Sequence, residues 1–388
     1  MIINITSTKV LRHKIFSCLL GGLRRLLLIS VMILQLIAFN LLPVNIVKAE
    51  SAGIYAYLDI LAYTDFLSID LHDEHASGEY FFSNATAGIG YHFDINKNSF
   101  GLGVFSRFYA ASEFSKDASE IFNTALNERN LDYGRTYKID LDISTFIIKG
   151  VEVFFERRAT ERFMYAAKLQ FFSASELLDG SAIGYIFYDG DITSGLQYDV
   201  FYESDPILER EVTSENGSGV SLSLAFRYAW SNKLSFGLAV DDAINKISWP
   251  NAPVTVANID AQSTTLLSKR KLIKKSSILG REFYEDFEKV LPVTYRLQAL
   301  YDQGPRRWYV SAYKNNSFYD MHLGVINKST AFNYFFSVSP LHGNIEMGIE
   351  RKKIRFSLAF ENINLLRSQY FTLSLSRDLD WAFSQFNF

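Results

Sequence analysis

Beyond residue 50 the chain alternates. Apolar side chains occupy every second position in one run after another: Ala85, Ala87, Ile89, Tyr91 and Phe93, then Ile139, Leu141, Ile143 and Ile147, then Val220, Leu222, Leu224, Phe226 and Tyr228. Late in the chain Ile345, Met347 and Ile349, and then Ile354, Phe356, Leu358 and Phe360, repeat the pattern. Residues two apart share a face of a strand, so each run reads as a strand with one apolar side. No series of helical-period segments interleaves them, which argues against a parallel α/β sheet. The pattern predicts sixteen strands near 54–63, 80–95, 100–109, 138–156, 163–172, 182–188, 194–202, 219–229, 234–241, 292–301, 306–314, 318–326, 331–339, 344–351, 354–361 and 370–383.

The opposite face of these strands decides the environment. It is small and mixed polar, as in Ser221, Ser223, Ala225 and Arg227, or Arg355, Ser357, Ala359 and Glu361. Small and polar on one face, apolar and aromatic on the other, is the pattern of a transmembrane barrel, and many runs end in Tyr, Trp or Phe as an interfacial girdle requires. The expected fold is therefore all-β: a transmembrane antiparallel up-and-down β-barrel of about 16 strands (14–18). The connections support it by alternating in length. Asn96–Ser99, Arg157–Arg162, Asp189–Thr193, Trp230–Lys233, Asp302–Pro305, Asn327–Thr330 and Lys352–Lys353 are short and expected at the periplasmic end. The segments 64–79, 110–137, 173–181, 203–218, 242–291 and 362–369 are expected as outer loops.

The first 49 residues carry six Lys/Arg and no acid, with an apolar run from Leu26 to Leu42 and Val47-Lys48-Ala49 before Glu50. That order predicts a secretory signal peptide, 1–49, ahead of a barrel domain, 50–388. The remainder holds 33 basic and 42 acidic residues, a net of −9, so nothing points to nucleic acid as a partner. The one cysteine, Cys18, lies in the leader, which removes disulfides and cysteine-based metal sites from consideration.

Ten charges fall on the inward parity: Arg107, Asp140, Asp142, Glu152, Arg227, Arg296, Glu346, Glu350, Arg355 and Glu361. In an open barrel they would line the pore and set ion preference, or pair to stiffen the wall. The 242–291 segment holds Trp249-Pro250-Asn251-Ala252-Pro253, a basic cluster (Lys269, Arg270, Lys271, Lys274, Lys275) and a helix-like run through Leu279, Phe283 and Phe287. Its basic cluster is expected to constrict the lumen or to bind lipopolysaccharide phosphates at the surface. His72-Asp73-Glu74-His75 is too short a motif to define a metal site, no nucleophile elbow occurs, and no enzyme activity or cofactor is expected.

The chain resembles bacterial outer-membrane β-barrel proteins over residues 50–388, most sharply at its end, Trp381-Ala382-Phe383-Ser384-Gln385-Phe386-Asn387-Phe388. That resemblance implies an outer-membrane location, contact with outer-membrane lipids and lipopolysaccharide, and recognition of Phe388 by the barrel-insertion machinery. The expected function is passive diffusion of small solutes. The segment Leu291-Pro292-Val293-Thr294-Tyr295-Arg296-Leu297 is similar to hydrophobic-compound transporters, which gives the alternative of a FadL-like transporter with a plugged lumen. A non-conducting structural or surface-interaction barrel is the third reading.

Overall fold

The computed structural model describes residues 51–65, 80–126, 131–190, 192–205, 210–211, 215–264, 273–351, 354–361 and 369–377. The expected leader 1–49, the His72–His75 motif, Lys269, Arg270, Lys271 and Phe388 lie outside them. Lys274 and Lys275 sit on a strand, opposite Ser263 and Gln262.

Sixteen strands form one antiparallel sheet. They are β1 (Ser51–Thr64), β2 (Tyr80–Ile95), β3 (Asn98–Phe114), β4 (Arg135–Arg158), β5 (Phe163–Tyr188), β6 (Ile192–Tyr202), β9 (Gly217–Ala229), β10 (Leu234–Thr264), β11 (Ile273–Lys289), β12 (Thr294–Gln303), β13 (Arg306–Asn315), β14 (Phe318–Asn327), β15 (Asn333–Val338), β16 (Ile345–Arg351), β17 (Ile354–Phe360) and β18 (Tyr370–Arg377). Two-residue pieces β7 (Ser204–Asp205) and β8 (Arg210–Glu211) pair with each other, and the helix α1 (Lys116–Leu126) joins β3 to β4. Pairing of β18 with β1, and of β9 with both β5 and β10, closes the wall, while β11 pairs on one side with β10.

Around the closed wall there are fourteen columns, because two pairs of strands share a column. β5 pairs with β9 through Phe163–Ala174 and with β6 through Leu178–Tyr188. β10 likewise pairs with β12 low down, Leu234–Asp241, and with β11 higher up, Ile247–Thr264. Thus β6 stands above β9 and β11 above β12. The short turns 96–97, 159–162, 230–233, 304–305 and 328–332 all lie at one end, the periplasmic end in barrels of this kind.

Three expectations about the outer connections need correction. The segment 203–218 leads from β6 down to β9 within one column and ends inside β9. Residues 173–181 are not a loop: β5 runs straight through them, Glu176 adopting a left-handed φ of 56° where the β4–β5 register slips. The connection that begins at 189–190 therefore lies at the outer end, not in the periplasm. The described residues of 242–291 do not form an irregular loop with a helix: 242–264 are the upper part of β10 and 273–289 are β11. Bulges carry β10 through, at Asp242 (φ 55°) and at Pro250-Asn251 (φ 50° at Asn251). A bulge tolerates a proline because the extra residue makes no ladder bond.

The outside of the wall is apolar and open: Leu102 is 60 % exposed, Leu297 52 % and Ile349 53 %. Its inside holds Glu152, His322, Ser337, Asn344 and Glu346 buried. An inside-out distribution of this extent belongs in a bilayer, where apolar side chains face lipid.

Candidate functional site: the filled lumen

Strand β1 reads the interior from bottom to top, since its odd residues from Tyr55 to Tyr63 point inward. Tyr55 and Tyr57 belong to the lowest tier, Asp59 to the middle, Leu61 and Tyr63 to the upper.

In the lowest tier Glu152 is fully buried and accepts three hydrogen bonds: from Tyr55 Oη at 2.9 Å, Tyr57 Oη at 2.9 Å and Gln170 Nε2 at 3.2 Å. A buried carboxylate with this many donors is tolerated where an orphaned one would cost several kcal/mol. Room for the tyrosines comes from glycine: a Cβ at Gly90 would lie 2.5 Å from the Tyr55 ring and one at Gly103 2.1 Å from its hydroxyl.

The middle tier is a charge cluster around a cavity of about 160 Å³. Arg107 Nη1 meets Asp242 at 2.6 Å, its Nε donates to Asn84 at 3.0 Å, and Ser221 donates to Asp242 at 2.7 Å. Arg296 pairs with Asp241, and Lys168 approaches the same carboxylate at 4.0 Å. Asp59 accepts from Ser374 at 2.7 Å. The β10 bulge makes this possible, because strict alternation would send one of two neighbouring residues outward, yet Asp241 and Asp242 both face the lumen.

On the other wall His322 lies 3.2 Å through Nδ1 from Ser337 Oγ and 2.9 Å through Nε2 from Asp320 Oδ2. The set holds the residue types of a serine–histidine–aspartate triad inside the barrel wall. Ser337 is fully buried and gives its proton to Glu346 at 2.9 Å, so a developing oxyanion there would meet a carboxylate in place of donors. Tyr309, at 3.4 Å from Glu346, and Ser339, which donates to Asp320, complete a clamp between β13, β14, β15 and β16.

The upper tier is aromatic. Ring centroids run in an unbroken series across the barrel: His342 to Tyr63 at 4.8 Å, Tyr63 to Phe318 at 4.9 Å, Phe318 to Phe82 at 5.6 Å, Phe82 to Tyr109 at 6.0 Å, Tyr109 to Phe146 at 5.2 Å, Phe146 to Trp249 at 6.0 Å, and Trp249 to Phe287 at 5.6 Å. Trp249 is 1 % exposed, and its indole fits because Gly217 has no side chain: a Cβ there would stand 2.5 Å from the ring. The break in the column between β11 and β12 is sealed beside this tier. The Asn245 amide accepts from Leu291 N at 2.5 Å and donates to Leu291 O at 3.0 Å, imitating a strand pair.

The ten inward charges read from the sequence are scattered over these tiers. Arg107, Glu152, Arg296 and Glu346 belong to the buried networks above. Arg227 sits half-buried at the short-turn end with Arg307 and Arg158 as like-charged neighbours. Glu350 stands opposite Arg355, whose guanidinium lies 4.6 Å over the Phe335 ring. Asp140 and Asp142 are high on β4, Asp142 opposite Glu113, and Glu361 is exposed at the outer end, accepting from Gln369 N at 3.2 Å. Sequence reasoning passed over Asp59, Lys168, Asp241, Asp242, Asp320 and His322. An Asp-Asp pair with alternation resuming on both sides was the available signal for the bulge.

No family model matches the chain, and no curated protein matches its sequence. Among solved structures, the Pseudomonas putida toluene transporter TodX is similar at 12% identity, covering 84% of this chain and 90% of that one, with a TM-score of 0.43. The Ralstonia pickettii toluene transporter TbuX is similar at 10% identity, covering 85% and 88%, with a TM-score of 0.40. With its closed antiparallel wall, lipid-suited exterior and polar and aromatic interior, the chain is a transmembrane β-barrel.

Proposed function

We propose that the barrel passes small hydrophobic compounds across the outer membrane, entering at the long-connection end and crossing the aromatic tier. The carrying observation is the ring series from Tyr63 to Phe287, which fills the upper lumen with apolar surface. Each square ångström of apolar solute buried there gains about 25 cal/mol, whereas a polar solute surrenders hydrogen bonds at roughly 2–7 kcal/mol apiece. An apolar solute therefore outcompetes a sugar or ion for this tier. Passive diffusion through a general channel is the broader form of the same reading. The polar middle cavity serves it, and the aromatic tier narrows it. The barrel acts by binding and release rather than by chemistry.

Uptake of radiolabelled toluene and of a sugar of similar size into liposomes carrying the protein tests the proposal. Faster toluene entry than into empty vesicles, with no change for the sugar, supports it. In planar bilayers the wild type should conduct little, and Trp249→Ala should raise the conductance. Large open steps from the wild type that scale with salt would replace it with a water-filled pore.

A further inference from the structure

The lipid-facing wall at the short-turn end carries a groove that the transport pathway does not use. It has a volume of about 440 Å³ and runs over β12 to β15, walled by Trp308, Val310, Leu323 and Phe336. Cross-strand register explains the hollow. Ala299, opposite Val310, is the small member of a row of large outward side chains. The hollow is apolar throughout, which suits a hydrocarbon chain.

Charge gathers at its periplasmic rim. The three turns bordering it, residues 230–233, 302–307 and 327–332, hold four cations (Lys233, Arg306, Arg307, Lys328) and one carboxylate, Asp302. Arg307 and Lys328 are both committed to Asp302. Lys233 and Arg306 are exposed and make no ion pair among the described residues. Their backbones are close, since Lys233 O accepts from Asp302 N at 2.6 Å and Arg306 stands opposite Gln303. The Trp308 indole, bonded to Gln303 at 3.3 Å, marks the interface level where headgroups lie.

We propose that this groove is a binding site for an anionic phospholipid of the inner leaflet, with an acyl chain along Trp308, Val310 and Leu323 and its phosphate against Lys233 and Arg306. Two features agree independently: an apolar hollow on the lipid face, and two exposed cations at its rim that make no ion pair among the described residues. A zwitterionic lipid fits the hollow equally but brings an ammonium that the cations repel.

Native mass spectrometry of the detergent-purified mature chain, offered equal amounts of dioleoyl phosphatidylglycerol and dioleoyl phosphatidylcholine, tests this. The wild type should retain the glycerol lipid at least threefold more. The double variant Lys233→Gln/Arg306→Gln should lose most of that preference, whereas Lys97→Gln/Arg157→Gln, on another part of the same rim, should keep it. Filling the hollow with Ala299→Trp should lower retention of both lipids. Heat-shifted migration on gels verifies folding of each variant. Equal retention of the two lipids by the wild type, which needs no variant, overturns the proposal. An equal loss from the Lys97/Arg157 pair overturns it too, in favour of a diffuse basic rim. Toluene uptake reads a different part of the molecule, so failure of either proposal leaves the other standing.

Discussion

Strands β4, β5 and β10 run for 24, 26 and 31 residues, while β15, β16 and β17 run for six, seven and seven. Both walls obey the same inward–outward rule, yet they keep it differently. The short wall is regular, and its β12 to β18 pairings contain no register shift. The tall wall is interrupted by left-handed residues at Glu176, Asp242 and Asn251 and by strands that change partners part-way up. A non-glycine residue in that conformation costs about 1–2 kcal/mol, so it persists only where surrounding contacts hold it. At Asp242 the contacts are Arg107 and Ser221, and the bulge delivers the second carboxylate of the central cluster. Irregularity in the tall wall is thus what concentrates charge and rings in the lumen.

The comparison breaks first if the cluster is cut. Arg107→Ala leaves Asp242 buried and unpaired, and should cost about 3–5 kcal/mol in urea unfolding of the refolded barrel. Arg107→Met combined with Asp242→Leu should cost clearly less than the single change. A loss below 1 kcal/mol for Arg107→Ala would mean the bulge is held by something else. Val310→Lys, on the lipid face of the regular wall, should cost about 2–4 kcal/mol by the same measurement if that position lies near mid-bilayer. Asn245→Leu removes the amide that imitates a strand pair, and should cost about 1–3 kcal/mol. Hydrogen exchange at the Leu291 amide should accelerate with it; unchanged exchange would show that the backbone seals the break without Asn245. Ile183→Lys, high on β5 above the level of the short wall, should change stability by no more than about 0.5 kcal/mol. A cost like that of Val310→Lys would place the upper wall in lipid.

The two walls also differ in how far they could be read in advance. Predicted strands 306–314, 318–326, 344–351 and 354–361 agree with β13, β14, β16 and β17 within about a residue at each end, because uninterrupted alternation has one interpretation. In the tall wall the same rule misleads. Ser173 to Gly180 is small and polar enough to pass for a loop, and Pro250 looks like a terminator, yet both lie inside strands. The expected strand 234–241 stops at Asp241, whereas β10 continues through Asp242 to Thr264. The inward faces of Arg107, Glu152, Arg296 and Glu346 follow from parity alone. Their partners do not, since those come from strands far away in sequence, such as Asp242 for Arg107 and Tyr55 for Glu152.

The six- and seven-residue strands bear on the surrounding bilayer. At about 3.3 Å per residue and a tilt near 40° they rise only about 15–18 Å along the membrane normal, against an apolar band of about 25 Å in barrels of this class. Lipids beside β15 to β17 must thin to meet them, while those beside β4, β5 and β10 need not. The barrel therefore sits in a bilayer whose thickness varies around its circumference, and a second barrel would approach most readily where two thinned sectors merge.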